Sequence, residues 1–72
     1  MNNPSVTTAK ISSSLKKYRI DRDLTQAELS KRAGMNSNAY AKIERGIRRA
    51  NTDTLEKICK ALDVHSSDIL PF

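Results

Sequence analysis

The 72 residues hold one cysteine, which excludes an internal disulfide framework and any multi-cysteine metal site. A lone thiol suits a reducing, intracellular compartment. One histidine, His65, lies near the far end of the chain with no plausible nucleophile partner. No glycine-rich phosphate loop and no metal-ligand spacing is present, so the inventory for an enzyme, a metal site or a cofactor site is missing. No apolar run approaches the roughly 20 residues of a membrane span. The start, MNNPSVTTAK, lacks the basic residues and apolar stretch of a signal peptide. These absences predict a cytoplasmic protein without catalytic activity, membrane partner, metal, cofactor or small-molecule ligand.

A chain of 72 residues makes one domain. Its core is marginal, because the buried share of surface falls with length, and oligomerisation is one route to further stability. The formal net charge is +5. Between Lys31 and Arg49 stand Lys31, Arg32, Lys42, Arg45, Arg48 and Arg49 against one acid, Glu44, so this stretch carries the whole excess. Clustered charge of that sign is the electrostatic footprint of a nucleic-acid binder, although a solvated helix face looks similar.

The spacing predicts an all-α fold, a compact five-helix bundle with helices at about 7–22, 26–33, 37–45, 52–62 and 66–70, a disordered arm over 1–5 and a single domain over 6–72. In the first helix Ile11, Leu15 and Tyr18 fall at i, i+4 and i+7. Ser12, Ser13 and Ser14, weak helix formers, suggest a loosely held first half. Thr25 and Glu28 form a capping box that opens the second helix, and Leu29 and Ala33 share one face. Gly34 stops it. Asn36 caps the third helix, where Tyr40 and Ile43 are the inward residues, and Gly46 ends it. Asn51 caps the fourth, supported by Asp53, and Leu55, Ile58, Cys59 and Leu62 form its core stripe. Cys59 reads as a buried packing residue. Asp63-Val64 breaks the pattern. A last helix follows, with Ser66 or His65 as its cap and Ile69 completing the core. Leu70, Pro71 and Phe72 then make an apolar end of the kind that suggests a partner surface. Two helices joined by so short a turn cross steeply, as in a helix-turn-helix.

The pattern Leu24-Thr25-Gln26, Leu29, Ala33-Gly34 and Ile43-Glu44-Arg45-Gly46 resembles the Xre family, the phage Cro and repressor type of helix-turn-helix DNA-binding protein, from about Ile11 to Leu70. The resemblance implies an ion pair between Arg19 and Glu44 that ties the first helix to the third. It implies a phosphate contact at Gln26 and base contacts at Ser37, Asn38 and Lys42. It also implies a two-fold dimer built from the C-terminal end, with Ile69, Leu70 and Phe72 as the interface. Four positions depart from the family pattern. Asp23 stands where a glycine-like turn residue is usual, Ser30 where alanine is common, and Tyr40 at a core position usually held by a branched aliphatic. Ala50 replaces a frequent proline, which implies a more mobile loop. The Ser30 hydroxyl needs a partner. The Tyr40 ring fits the core if its hydroxyl reaches the edge, or else that hydroxyl touches a phosphate.

By residue type, Asn36, Ser37, Asn38 and Lys42 are free to meet base edges in the major groove, unless Asn36 is engaged in capping. Ala39 could meet a thymine methyl. Thr25, Gln26, Arg45, Arg48 and Arg49 are the phosphate candidates. The expectation is a transcriptional regulator that binds double-stranded DNA as a homodimer at a roughly palindromic operator. Stand-alone chains of this pattern resemble controllers of restriction–modification systems, small phage-type repressors and some antitoxins. An interaction module without specific DNA binding is the rival reading.

Overall fold

Four of the helices stop in the same way, and that shared ending sets the path of the chain. The computed structural model describes residues 6–70; the arm expected over 1–5, Pro71 and Phe72 lie outside the described residues. Among those residues the elements are α1 (Val6–Asp21), α2 (Gln26–Arg32), α3 (Ser37–Glu44), α4 (Thr52–Leu62) and α5 (Ser66–Ile69). Each end lies within one residue of the expected span. The differences in α2, α3 and α5 arise because Ala33, Arg45 and Leu70 serve as C-caps and not as helical residues, and α1 is shifted one residue toward the N-terminus.

After α1, α2, α3 and α4 one residue turns left-handed, and the amide beyond it reaches back five residues. Leu24 donates to the Arg19 carbonyl at 3.2 Å, Met35 to Ser30 at 2.9 Å, Ile47 to Lys42 at 2.9 Å and Val64 to Cys59 at 3.0 Å. These are Schellman closures, which satisfy carbonyls that a helix end leaves unpaired. The left-handed residues are Asp23 (φ 54°), Gly34 (φ 68°), Gly46 (φ 77°) and Asp63 (φ 58°). Asp23 therefore takes the conformation for which the family uses a glycine-like residue. Asp63 does the same, where the sequence showed only a broken pattern.

The helix starts are local side-chain chemistry. Thr25 Oγ1 accepts from the Glu28 amide at 3.0 Å, and the Thr25 amide donates to Glu28 Oε1 at 2.9 Å. Asn51 Oδ1 accepts from the Thr54 amide at 2.8 Å. At α5 the cap position is His65, whose amide donates to Asp68 Oδ2 at 3.0 Å.

α1 packs on α3 and α5, α2 on α3 and α4, and α4 on α5. Leu15, Leu29, Tyr40, Ile58 and Leu62 are fully enclosed, with Ile43, Cys59 and Ile69 beside them. The serines settle differently from expectation. Ser12 is buried, and its hydroxyl proton lies between the carbonyls of Thr8 at 2.9 Å and Ile43 at 3.1 Å. A Cβ on Gly46 would come within 3.3 Å of that hydroxyl. The first half of α1 is thus fastened to the end of α3 by a small polar side chain, not loosely held. Ser30 is also buried and shares its proton between the Gln26 and Ala27 carbonyls on its own helix, at 2.8 and 3.0 Å.

Leu55 departs from the core stripe expected of α4. It is half-buried and lines a groove of about 590 Å³ with Ile11, Cys59, Val64 and Leu70, while Ile58, Cys59 and Leu62 enter the core. Burial pushes the Cys59 thiol above its ordinary range, with the Asp68 charge adding to it. The thiol is therefore held in the unreactive protonated form.

A left-handed aspartate carries a Cβ that glycine lacks. Asp63→Gly is expected to stabilise the fold by about 0.5–1 kcal/mol. The readout is a rise of several degrees in the thermal midpoint at neutral pH, with the helical circular dichroism unchanged.

Candidate nucleic-acid interface

α3 has two faces of opposite character. Tyr40, Ile43 and Glu44 are buried; Asn38, Lys42 and Arg45, at i, i+4 and i+7, form an exposed stripe on the other side. Asn36 and Ser37 extend it at the start, and both are exposed. All four base-reading candidates therefore meet solvent, three at the start of α3 and Lys42 in its last turn.

The buried face is pinned by an ion pair. Arg19 Nε donates to Glu44 Oε2 at 3.0 Å and Oε1 at 3.2 Å, and Nη2 donates to Oε1 at 2.8 Å. Nη1 donates to the Leu24 carbonyl at 2.7 Å. The side chains are 13% and 2% exposed, so the pair is largely out of water. Burial alone would raise the Glu44 carboxyl. The Arg19 hydrogen bonds and the Arg19 charge, with the Gln26 amide, outweigh it and hold the carboxyl below its ordinary range. The Arg19–Glu44 bridge expected from the resemblance is therefore present in the fold.

Tyr40 is fully buried, and its hydroxyl makes no hydrogen bond. It neither reaches the edge of the core nor stands where a phosphate could meet it, so both readings of the sequence are corrected. The ring fills the space of a branched aliphatic, and its extra length carries the hydroxyl toward Arg19 and Glu44. Burial, followed by the Glu44 charge, drives the Tyr40 phenol far above its ordinary range, so it stays protonated.

Two expected contacts are already engaged within the fold. The Asn36 side-chain oxygen accepts from the amides of Asn38 at 2.8 Å and Ala39 at 3.3 Å. Thr25 is exposed, but its hydroxyl closes the capping box. Gln26, half-buried at the start of α2, leans toward Glu44. The remaining phosphate candidates are unencumbered. Arg45, Arg48 and Arg49 are exposed, and their side chains form no ion pair among the described residues.

The loop bearing two of these arginines is tethered. The Ile47 and Arg48 amides both donate to the Lys42 carbonyl, at 2.9 and 3.2 Å. Its first half thus continues the last turn of α3 despite the missing proline. Arg48 and Arg49 border a cavity of about 270 Å³ floored by Ile11, Ile43, Ala50 and Leu55. Ile47, 67% exposed, stands among these cations and escaped the sequence reading, since one apolar residue in a charged loop carries no periodic signal. At the other end, Ile69 is 2% exposed and committed to the core. Of the expected interface only Leu70 opens onto the groove among the described residues.

A family model described as helix-turn-helix matches residues 15–69, most of the chain. The chain belongs to this helix-turn-helix family, of the Xre type. It is 30% identical over 59 residues to the cryptic phage CTXphi transcriptional repressor RstR of Vibrio cholerae, covering 82% of this chain and 53% of the repressor. The chain thus spans about half the length of that curated relative. The fold is similar to the wild-type restriction-modification controller protein C.Esp1396I, with a TM-score of 0.83, 30% identity and coverage of 88% of this chain and 82% of that one. The same controller has been solved as a tetramer with its natural 35 base-pair operator, and that chain matches at TM-score 0.83 and 30% identity, covering 88% of this chain and 83% of its own. The controller C.AhdI of Aeromonas hydrophila shares the fold at TM-score 0.87 and 23% identity, over 92% of this chain and 100% of that one. Among the described residues no helix is long and apolar enough to cross a membrane.

A pH dependence follows from Glu44. Its folded carboxyl titrates below the ordinary value of 4.5, so the stability it contributes is fully present above about pH 4.5 and is lost as pH falls through the depressed value. Chemical denaturation between pH 7 and pH 3 should show this loss. Glu44→Gln should be less stable than wild type at pH 7, with the gap narrowing toward pH 3.

Proposed function

We propose that the protein is a sequence-specific DNA-binding transcriptional regulator that lays α3 in the major groove of a roughly palindromic operator as a homodimer. The exposed stripe of α3 carries the reading. Asn38 and Lys42 face out on the side opposite the Arg19–Glu44 anchor, and the tethered basic loop follows directly. In this arrangement Asn38 pairs with adenine and Lys42 donates to guanine, while Ser37 adds a hydroxyl contact. Arg45, Arg48 and Arg49 hold phosphates, with Thr25 and Gln26 at the start of α2 in a lesser role. The match to a phage repressor and to a controller solved on its operator supports the same reading. Likeness to the controller extends over more than four-fifths of both chains. A small basic regulator of this class acts in the cytoplasm and needs no cofactor.

A single module of this size covers too little DNA for strong discrimination. The apolar groove of Ile11, Leu55, Cys59, Val64 and Leu70, rimmed by Glu56, Lys60 and His65, is the surface that a second copy would cover. Leu55 and Leu70 take the place of Ile69 in that interface. Phe72, also expected there, lies outside the described residues.

Selection from random duplexes at near-physiological salt tests the whole reading. The wild type should return one palindrome with half-sites about 34 Å apart, one helical turn. Asn38→Ala and Lys42→Ala should each relax preference at particular base pairs. Arg48→Ala should weaken all sequences alike and flatten the salt slope by about one. A sequence-blind loss from all three would overturn the division of roles, and binding without any motif would leave only a basic interaction surface. In sedimentation, Leu55→Glu should give a monomer with unchanged helicity and weaker operator binding.

A further inference from the structure

The two asparagines at the start of α3 are chemically unlike, although both are exposed and only Ser37 separates them. A carboxamide has one acceptor oxygen with two lone pairs and one NH2 donor group. At Asn36 two backbone amides, those of Asn38 and Ala39, point at the side chain. Both need an acceptor, so they fix the oxygen toward the helix and use both of its lone pairs. The Nδ2 group occupies the other end of the same planar unit, free and held in orientation by the cap. Asn38, by contrast, uses only its backbone amide in that cap. Its side chain makes no bond among the described residues, so both ends of its carboxamide remain available.

This difference decides what each can read. Bidentate recognition of adenine needs an acceptor for N6–H and a donor for N7. Asn38 has both. Asn36 has only the donor. A lone donor in the major groove is satisfied by guanine O6 or N7, by adenine N7 or by thymine O4. Cytosine presents only its N4 amino group there, donor against donor.

We propose that Asn36 is a one-sided specificity determinant: an oriented amide donor that admits guanine, adenine or thymine at its base position and rejects cytosine, leaving adenine-specific reading to Asn38. The assignment rests on the DNA-binding reading above. It means that the cap, which would otherwise withdraw Asn36 from recognition, is what aims it.

Serine and aspartate both cap helices, so they separate the two roles. Random-duplex selection and thermal melting are run on the wild type, Asn36→Ser and Asn36→Asp. The wild-type motif should show one position in each half-site depleted of cytosine. In Asn36→Ser, whose hydroxyl stays on the cap, that depletion should vanish. The other positions should keep their preferences, and affinity for the wild-type site should fall about fivefold, the low end for a base contact. Asn36→Asp presents an acceptor instead of a donor and should turn the same position toward cytosine or adenine, the two bases with an amino donor there, with weaker binding overall. Thermal midpoints near wild type in the variants would show that the cap survives; if serine alone lowers the midpoint, the aspartate variant decides. A wild-type motif that reappears unchanged in both variants would overturn the proposal and leave Asn36 as a cap only. A wild type that returns no motif would overturn the DNA-binding reading, and this one with it.

Discussion

The fold hangs on the Arg19–Glu44 pair. One guanidinium engages both oxygens of a nearly inaccessible carboxylate and, through Nη1, the Leu24 carbonyl in the turn before α2. Three parts of the chain, separated by up to 25 residues, are thereby fixed to one planar group. Buried pairs are a modest source of net stability, because desolvation offsets most of the attraction. Removing one partner is a different matter, since it strands a charge at a cost of about 3–5 kcal/mol. In a domain whose total stability is on the order of 5–15 kcal/mol, that leaves little room for variation at either position. The pair also sets the rotation of α3 about its own axis. With Glu44 pinned inward, Asn38, Lys42 and Arg45 have no direction left but outward.

The same corner carries a cost that the rest of the fold tolerates. Tyr40 buries a hydroxyl without a partner next to the pair. Leaving such a group unsatisfied is worth about 1–3 kcal/mol against folding. The ring returns much of that by filling the centre of the core, where a shorter side chain would leave a void. Gly46 and Ser12 work by the opposite means. Both are small where α1 meets the end of α3, and the serine hydroxyl reaches the Ile43 carbonyl there. A large Tyr40 in the middle of α3, with Gly46 just past its end facing Ser12 of α1, lets the helix lie close along α1.

What the sequence made legible was local. Capping boxes, N-cap asparagines and glycine stops act over three to five residues, so Thr25–Glu28, Asn36, Asn51, Gly34 and Gly46 could be read directly. Arg19–Glu44 was legible only through the family resemblance, since nothing in either residue's neighbourhood names a partner 25 positions away. The misreadings share that cause. Ser12 looked like a weak point because helix propensity sees one residue in one helix, whereas its partner lies 31 positions off. Leu55 lies on a stripe whose period is right, but periodicity gives a face and not what covers it. Tyr40 was taken to need an exit for its hydroxyl, as most buried tyrosines do. Asp63 was read as an interruption because aspartate seldom replaces glycine in a left-handed cap. At the candidate interface, residue type named side chains that the fold leaves exposed. The capping pattern had already marked Asn36 as engaged, and the geometry showed that the engagement takes its oxygen and leaves its amide nitrogen.

The uncovered groove and the exposed stripe bear on each other through size. A small bundle with an apolar cleft between α1, α4 and α5 has unrealised burial on one side and too little DNA contact on the other. The proposed two-fold assembly answers both at once, because covering the groove places two copies of α3 at a fixed separation. Stability, oligomeric state and operator affinity then become one linked equilibrium, and binding to either the second copy or the DNA favours the folded state. At concentrations where protomers predominate, operator occupancy by such a dimer rises with the square of total protein. A regulator built this way would gain a steep response from dimerisation at the groove, and the arginines of the α3–α4 loop, in the phosphate role proposed for them, would set the salt at which that response begins.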